Sequence, residues 1–220
     1  MRIQVLLIFM TIFPLESVTS QTYIGRIGSG VGSYNMKEMS EYVNFAKIFI
    51  PVDVKTFNDF PPYLNYHLAL RKHGKNEQDY FEIEYAFYST GSRLNYQDYS
   101  GEYNLDVKLN AFSFALKYGT FFHQGKHLKL GLYQQLSSYF TKIKFIEEIN
   151  VYGESGTSKS SAGTKHLGLE AGAMGVYPFS NKMGLFTSLG YYQQMYTFRK
   201  GKYVPDWSGI RFELGLLFDI

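Results

Sequence analysis

Ten ionisable residues recur at even spacings through this 220-residue chain, and any chemistry it performs starts with them. His67 and Arg71 are four apart, Glu82 and Glu84 two, His166 and Glu170 four, and Arg211 and Glu213 two, while Lys117 and Lys129 keep the same parity within their own segments. Even spacing puts side chains on one face of an extended strand. Taken as chemistry, this nearly balanced row would be a proton or ion pathway. Taken as packing, it is a set of paired charges filling an interior too narrow for a pore. Packing is the expectation here.

A second constellation centres on His166, with Ser160 and Ser161 close by and Glu170 on the same face. A base oriented by a carboxylate is what hydrolytic chemistry on lipid needs, provided the groups reach one another. His73, His123 and His127 fall in turns at the opposite end of the expected fold. Gly28, Gly30 and Gly32 invite a phosphate-loop reading, yet no strand precedes them in a βαβ setting. Nothing has the spacing of a metal cluster or a nucleotide loop, so neither a cofactor nor a catalytic residue is assigned. The chain has no cysteine, which excludes a lipoprotein anchor, a disulfide scaffold and a thiolate metal site.

The elements that must position these residues are strands. Ile210, Phe212, Leu214, Leu216, Phe218 and Ile220 alternate with Arg211, Glu213, Gly215, Leu217 and Asp219 at the end of the chain. One face there is greasy and the other carries charge. At the opposite end, residues 1–20 read as an export signal: Arg2, the apolar run Val5 to Phe13, and the small residues Val18, Thr19 and Ser20. Residues 21–220 then form one domain. The net charge of +3 is too mild, and its cations too scattered, for nucleic acid.

Between these ends, residues 23–34 read as a strand with Arg26 and the three glycines on one face. Residues 35–50 break the alternation. Met36, Met39, Val43 and Ala46 recur at helical steps, Asn35 and Glu38 fit a capping box, and Pro51 stops the helix. Strands follow over 62–71, 79–93, 103–122, 128–152, 166–177 and 183–198. Within 103–122 the apolar parity switches after Leu109, which predicts a β-bulge near Asn110. If the turn after His73 centres between Lys75 and Asn76, His67 faces Glu84 and Arg71 lies diagonal to Glu82. Residues 96–102 read as a loop and 153–163 as a flexible tip. Tyr96, Tyr99, Tyr139, Tyr196, Tyr203 and Trp207 read as an outer aromatic girdle.

The expected fold class is all-β: an eight-stranded antiparallel transmembrane β-barrel with a short amphipathic helix in the first external loop. A soluble lipocalin shares the strand spacing but hides its greasy face inside. Here the apolar band runs along nearly every strand, as lipid contact requires. The export signal, the helical first loop, the run Asn58-Asp59-Phe60-Pro61-Pro62-Tyr63 and the terminal strand from Arg211 to Ile220 together resemble the small outer-membrane barrels of Bacteroidetes-type bacteria. More distantly, the chain is similar to OmpX- and OmpA-like barrels. That resemblance implies the cell outer membrane, contact with its lipid and lipopolysaccharide, and delivery by barrel-insertion machinery through Phe218 and Ile220. The tyrosines and Trp207 at the outer rim would also suit a glycan or a protein partner at the external loops. A non-enzymatic structural or interaction role in the envelope, alone or as a subunit of a larger envelope complex, is the first expectation, with a lipid-modifying enzyme using His166 or a narrow channel as alternatives.

Overall fold

Strands alternate apolar and polar residues along almost their whole length, and the chain pairs each with its neighbour until the last meets the first. The computed structural model describes residues 23–48, 55–57, 59–62, 64–74, 77–99, 101–151, 154–198 and 203–220. The expected export signal lies outside them, as do Lys75, Asn76, Asn58 and Tyr63. In chain order the elements are β1 (Tyr23–Gly32), α1 (Lys37–Ile48), β2 (Lys55–Phe57), β3 (Leu64–His73) and β4 (Asp79–Asp98). They continue as β5 (Gly101–Gln124), β6 (Lys129–Val151), β7 (Glu154–Pro178), β8 (Met183–Thr197) and β9 (Gly209–Asp219).

The ring runs β1-β3-β4-β5-β6-β7-β8-β9 and closes where β9 pairs antiparallel with β1, from Ile24 opposite Asp219 to Gly32 opposite Arg211. This is the expected eight-stranded barrel. The short β2 lies outside the ring, paired with β4 through Lys55 opposite Asn95. Closure leaves no free sheet edge around the ring, so every strand backbone has partners on both sides there.

Ile27, Leu68, Ile83, Phe114, Leu132, Leu189 and Leu214 point outward and are exposed, as the alternation demands. Their inward neighbours are buried. Side chains fill the interior in three layers. Tyr80, Phe121, Met174, Phe186 and Leu217 pack together at the end where Tyr23 and Ile220 meet. Charged residues occupy the middle. At the far end Met39 and Val43 of α1 pack on Tyr88, Leu94, Leu105, Val107, Leu109 and Trp207. The helix therefore covers the mouth, held by the apolar stripe read in the sequence.

That upper layer corrects the bulge expected near Asn110. Strands β4, β5 and β6 pair there without a break, and register shifts instead between Phe121 and His123, and between Leu167 and Gly168. Leu105, Val107 and Leu109 face inward beneath α1, whereas Phe112 and Phe114 face outward. Parity never changes. Apolarity moves from one face to the other because the interior itself is apolar under the helix. Two expected irregular segments are likewise strand: Tyr96 pairs with Tyr103, and residues 154–163 pair with β6. The capping box does not form either. Asn35 Nδ2 donates to Asp206 at 2.9 Å, and Glu38 accepts from the Val204 backbone N–H at 3.1 Å, so both side chains tie the helix start to the last loop.

Candidate functional site

Arg26 stands at the centre of the barrel, fully buried, and touches three carboxylates. Its guanidinium donates to Glu82 at 3.0 Å, to Glu213 at 3.2 Å and to Glu84. Lys117 reaches Glu84 at 3.0 Å from β5, and Arg71 donates through Nε to Glu82 at 2.8 Å. His67 places Nδ1 3.1 Å from Glu84 and 3.3 Å from Glu213, with Nε2 2.7 Å from Asn65 Oδ1. Three cations thus face three carboxylates around one imidazole. The bonds from Arg26, Arg71 and Lys117 to the carboxylates are charge-assisted, while Arg26 Nε and Arg71 Nη2 are buried with no hydrogen-bond partner among the described residues.

Aromatic rings line this cluster. Arg26 lies 4.7 Å above the Phe186 ring, Arg71 3.9 Å above Tyr80 and Lys117 4.7 Å from the centre of Tyr133. Ring faces carry negative potential, so they offset part of the desolvation of each cation.

A second cluster sits nearer the covered mouth. Arg211 donates to Glu170 at 3.2 Å, to the Tyr88 hydroxyl at 3.3 Å, to the Trp207 carbonyl at 3.1 Å and to the Tyr139 hydroxyl. The Tyr133 hydroxyl donates to the other Glu170 oxygen at 2.7 Å. Gly190 makes this possible, because a Cβ there would overlap the Tyr133 hydroxyl and stand 2.9 Å from Glu170. Trp207 anchors the last loop from above, its indole donating to Thr141 at 2.9 Å.

Of the ten residues singled out by sequence, His67, Arg71, Glu82, Glu84, Lys117 and Glu213 come together in the central cluster, and Glu170 and Arg211 in the upper one. The register of β3 and β4 is two residues away from the one expected: Arg71 faces Glu82 directly, and His67 faces Ala86. The turn centres later than expected, yet His67 still reaches Glu84 diagonally. Lys129 is a correction. It keeps the inward parity but lies at the open rim, 3.6 Å from the exposed Glu77, too far along β6 to join the network. His166 is another. Its Nδ1 meets Thr197 Oγ1 at 3.2 Å, while its Nε2 has no hydrogen-bond partner among the described residues. Glu170 belongs to Arg211 and Tyr133, so the expected histidine–carboxylate pair does not form.

Arg26 is the residue that sequence reasoning left out of the network. The signal was present, since Arg26 shares parity with Gly28 and Gly30. Tyr139 and Trp207 are also corrected, being fully buried inside instead of forming an outer girdle. Tyr99 and Tyr196 are exposed.

One donor set has the make-up of a metal site: a nitrogen of His67 and oxygens of Glu84 and Glu213 lie within 4.8 Å of one another. Arg26 and Lys117 already hold both carboxylates, so a divalent cation there would face two fixed positive charges at close range. The arrangement suits an internal ion-pair network better than a metal.

No protein-family model matches the sequence, and no curated protein does. Among solved structures, the chain is similar to neisserial surface protein A at 12% identity and a TM-score of 0.45, covering 91% of this chain and 98% of that one. It is similar to the attachment invasion locus protein of Yersinia pestis at 14% identity and a TM-score of 0.45, covering 90% and 98%. The outer membrane protease of Escherichia coli follows at 10% identity and 0.41, covering 94% and 99%. The barrel topology itself stands on the strand pairing described above.

Proposed function

We propose that this chain is a non-enzymatic β-barrel of the Gram-negative outer membrane with a structural or interaction role in the envelope. The observation that carries the reading is the pairing of a greasy exterior with a filled interior. Exposed Ile27, Leu68, Phe114, Leu189 and Leu214 would be a large apolar surface in water, and they form the band that lipid requires. Inside, four carboxylates and four cations pair with one another across the lumen, as a packed interior requires. The affinity to Bacteroidetes-type barrels rests on the re-entry run at 58–63 and the terminal strand.

Insertion would use Phe218 and Ile220 at the closing strand, and a protein partner would meet the long hairpins β4–β5 and β6–β7. Both predictions follow from which end projects outward. Cysteines placed at Ser158 or Ser160 should react with an impermeant label on intact cells, and one at Lys75 should not. The reverse pattern overturns the topology. Purified protein in planar bilayers should carry no ion current, and a steady conductance would favour the channel instead. Hydrolysis of membrane lipid that disappears in His166→Ala, with the fold intact, would favour the enzyme.

A further inference from the structure

Above the lipid-facing band, the outward surface of β4 to β7 carries an ordered pattern of charge that the central network does not explain. The register defines it row by row. Phe87, Phe112, Phe140 and Lys165 are neighbours in one row, with the Phe87 and Phe112 rings 5.1 Å apart. The next row outward holds Ser89, Asn110 and Lys142, and the one after it Gly91, Lys108 and Lys144. A third holds Arg93, Asp106, Ile146 and Lys159. Acidic residues return only beyond, at Glu148 and Glu102. So five cations and one carboxylate lie in the three rows next to the aromatic belt, and the acids sit farther from the membrane.

The lone carboxylate is occupied. Arg93 donates to both oxygens of Asp106, and Lys108 approaches it at 3.2 Å. The side chains of Lys142 and Lys144 are exposed and make no hydrogen bond or ion pair among the described residues. Lys108 and Lys144 lie directly opposite each other on paired strands, an arrangement that costs stability unless an anion lies between them.

Beside these lysines the same face holds a groove of about 550 Å³, with Ser89, Gly91, Arg93, Asp106, Lys108 and Asn110 on its outward lining. That falls within the range of small-ligand sites, roughly 300–1,000 Å³. Gly91 leaves the trough open, and a Cβ there would stand 2.7 Å from the Val107 carbonyl. Hydroxyl and amide groups at Ser89 and Asn110 suit sugar hydroxyls, while the cations suit phosphate. We propose that this face binds the phosphorylated sugar headgroup of an outer-leaflet glycolipid, its phosphates between Lys108, Lys142 and Lys144 and a sugar ring in the Gly91 groove.

The proposal rests on the outer-membrane reading, and the experiment separates the two. Mature protein is reconstituted in phosphatidylcholine vesicles containing a minor fraction of a bisphosphorylated glucosamine-disaccharide lipid, and bound glycolipid is counted by native mass spectrometry. Flotation with the vesicles reports insertion independently. Wild type should retain the glycolipid, and Lys142→Gln/Lys144→Gln should weaken retention about thirtyfold, from roughly 1 kcal/mol per lysine near a charged headgroup. A control pair on α1, Lys37→Gln/Lys47→Gln, should retain it. Unchanged retention in the Lys142/Lys144 variant overturns the site. Should that variant fail to insert, the wild type decides with the dephosphorylated glycolipid. Equal retention of that lipid, equal retention of phosphatidylglycerol, or displacement by inorganic phosphate each overturns the proposal, although the barrel still inserts.

Discussion

Arg26 and Glu213 are 187 positions apart in sequence and meet at 3.2 Å inside the barrel. They belong to β1 and β9, the two strands whose pairing closes the ring. The link therefore exists only once the whole chain has wrapped, and it ties the seam from within while the backbone ladder ties it along the wall. Glu82 and Glu84 on β4 complete the set, so four ring strands (β1, β4, β5 and β9) share one charge cluster through Arg26 and Lys117.

Removing Arg26 leaves three buried carboxylates with too little positive charge. Arg26→Met should destabilise the barrel by about 3–5 kcal/mol, the usual cost of an uncompensated buried charge. Urea unfolding in lipid vesicles measures it. Adding Glu213→Gln should recover part of the loss, because the second change removes one of the stranded charges. If the two effects simply add, Arg26 and Glu213 are not coupled.

The wall has its own test. Leu214 faces outward and Gly215 inward, where a Cβ would stand 2.5 Å from the Ile27 carbonyl of the neighbouring strand. Leu214→Arg should cost about 2–4 kcal/mol near the bilayer midplane. A neutral result in vesicles would mean that this face of β9 does not meet lipid.

Strand positions and faces were legible because the lipid boundary imposes a strict alternation on residues such as Leu68, Leu189 and Leu214. The charge cluster was legible for the same reason, as inward parity alone gathers His67, Glu84, Lys117 and Glu213. Register was not. It depends on turn geometry, and the turn after His73 centres later than its residues suggest. The supposed bulge at Asn110 arose because alternation reports the contrast between two faces, and beneath α1 that contrast inverts. Trp207 and Tyr139 were misplaced because an aromatic residue near a strand end fits an interfacial belt and a plugged mouth equally well. Only the helix packing distinguishes them.

The outer hairpin of β4 and β5 should respond to acid. Hydrogen bonds from Arg93 hold the Asp106 carboxyl below the ordinary carboxylate range, helped by Lys108 and opposed by partial burial. A depressed folded value means that the pair stabilises the hairpin at pH above the unfolded carboxyl's, about 3.9. That contribution is lost as pH falls through the folded value. Amide-exchange protection at the hairpin tip should therefore drop on acidification in the wild type. Asp106→Asn should begin less protected and show a smaller drop. Identical profiles in the two proteins would remove Asp106 as the cause.

The last prediction concerns α1. Twelve residues make a helix that is marginal in water by itself, so its stability has to come from Met39 and Val43, which are 0% and 1% exposed against the upper interior. Met39→Asp/Val43→Asp would bury two unpaired carboxylates in an apolar layer, and the helix should leave instead. Protease cleavage within 33–62 should rise while the barrel keeps its unheated gel mobility. Ion current should stay absent, because the clusters around Arg26 and Arg211 fill the lumen beneath the helix without its help. Unchanged cleavage would mean that contacts such as Tyr42 with Phe145 and Tyr203 hold the helix in place. A new current would show that α1, and not the buried charges, is what seals the barrel.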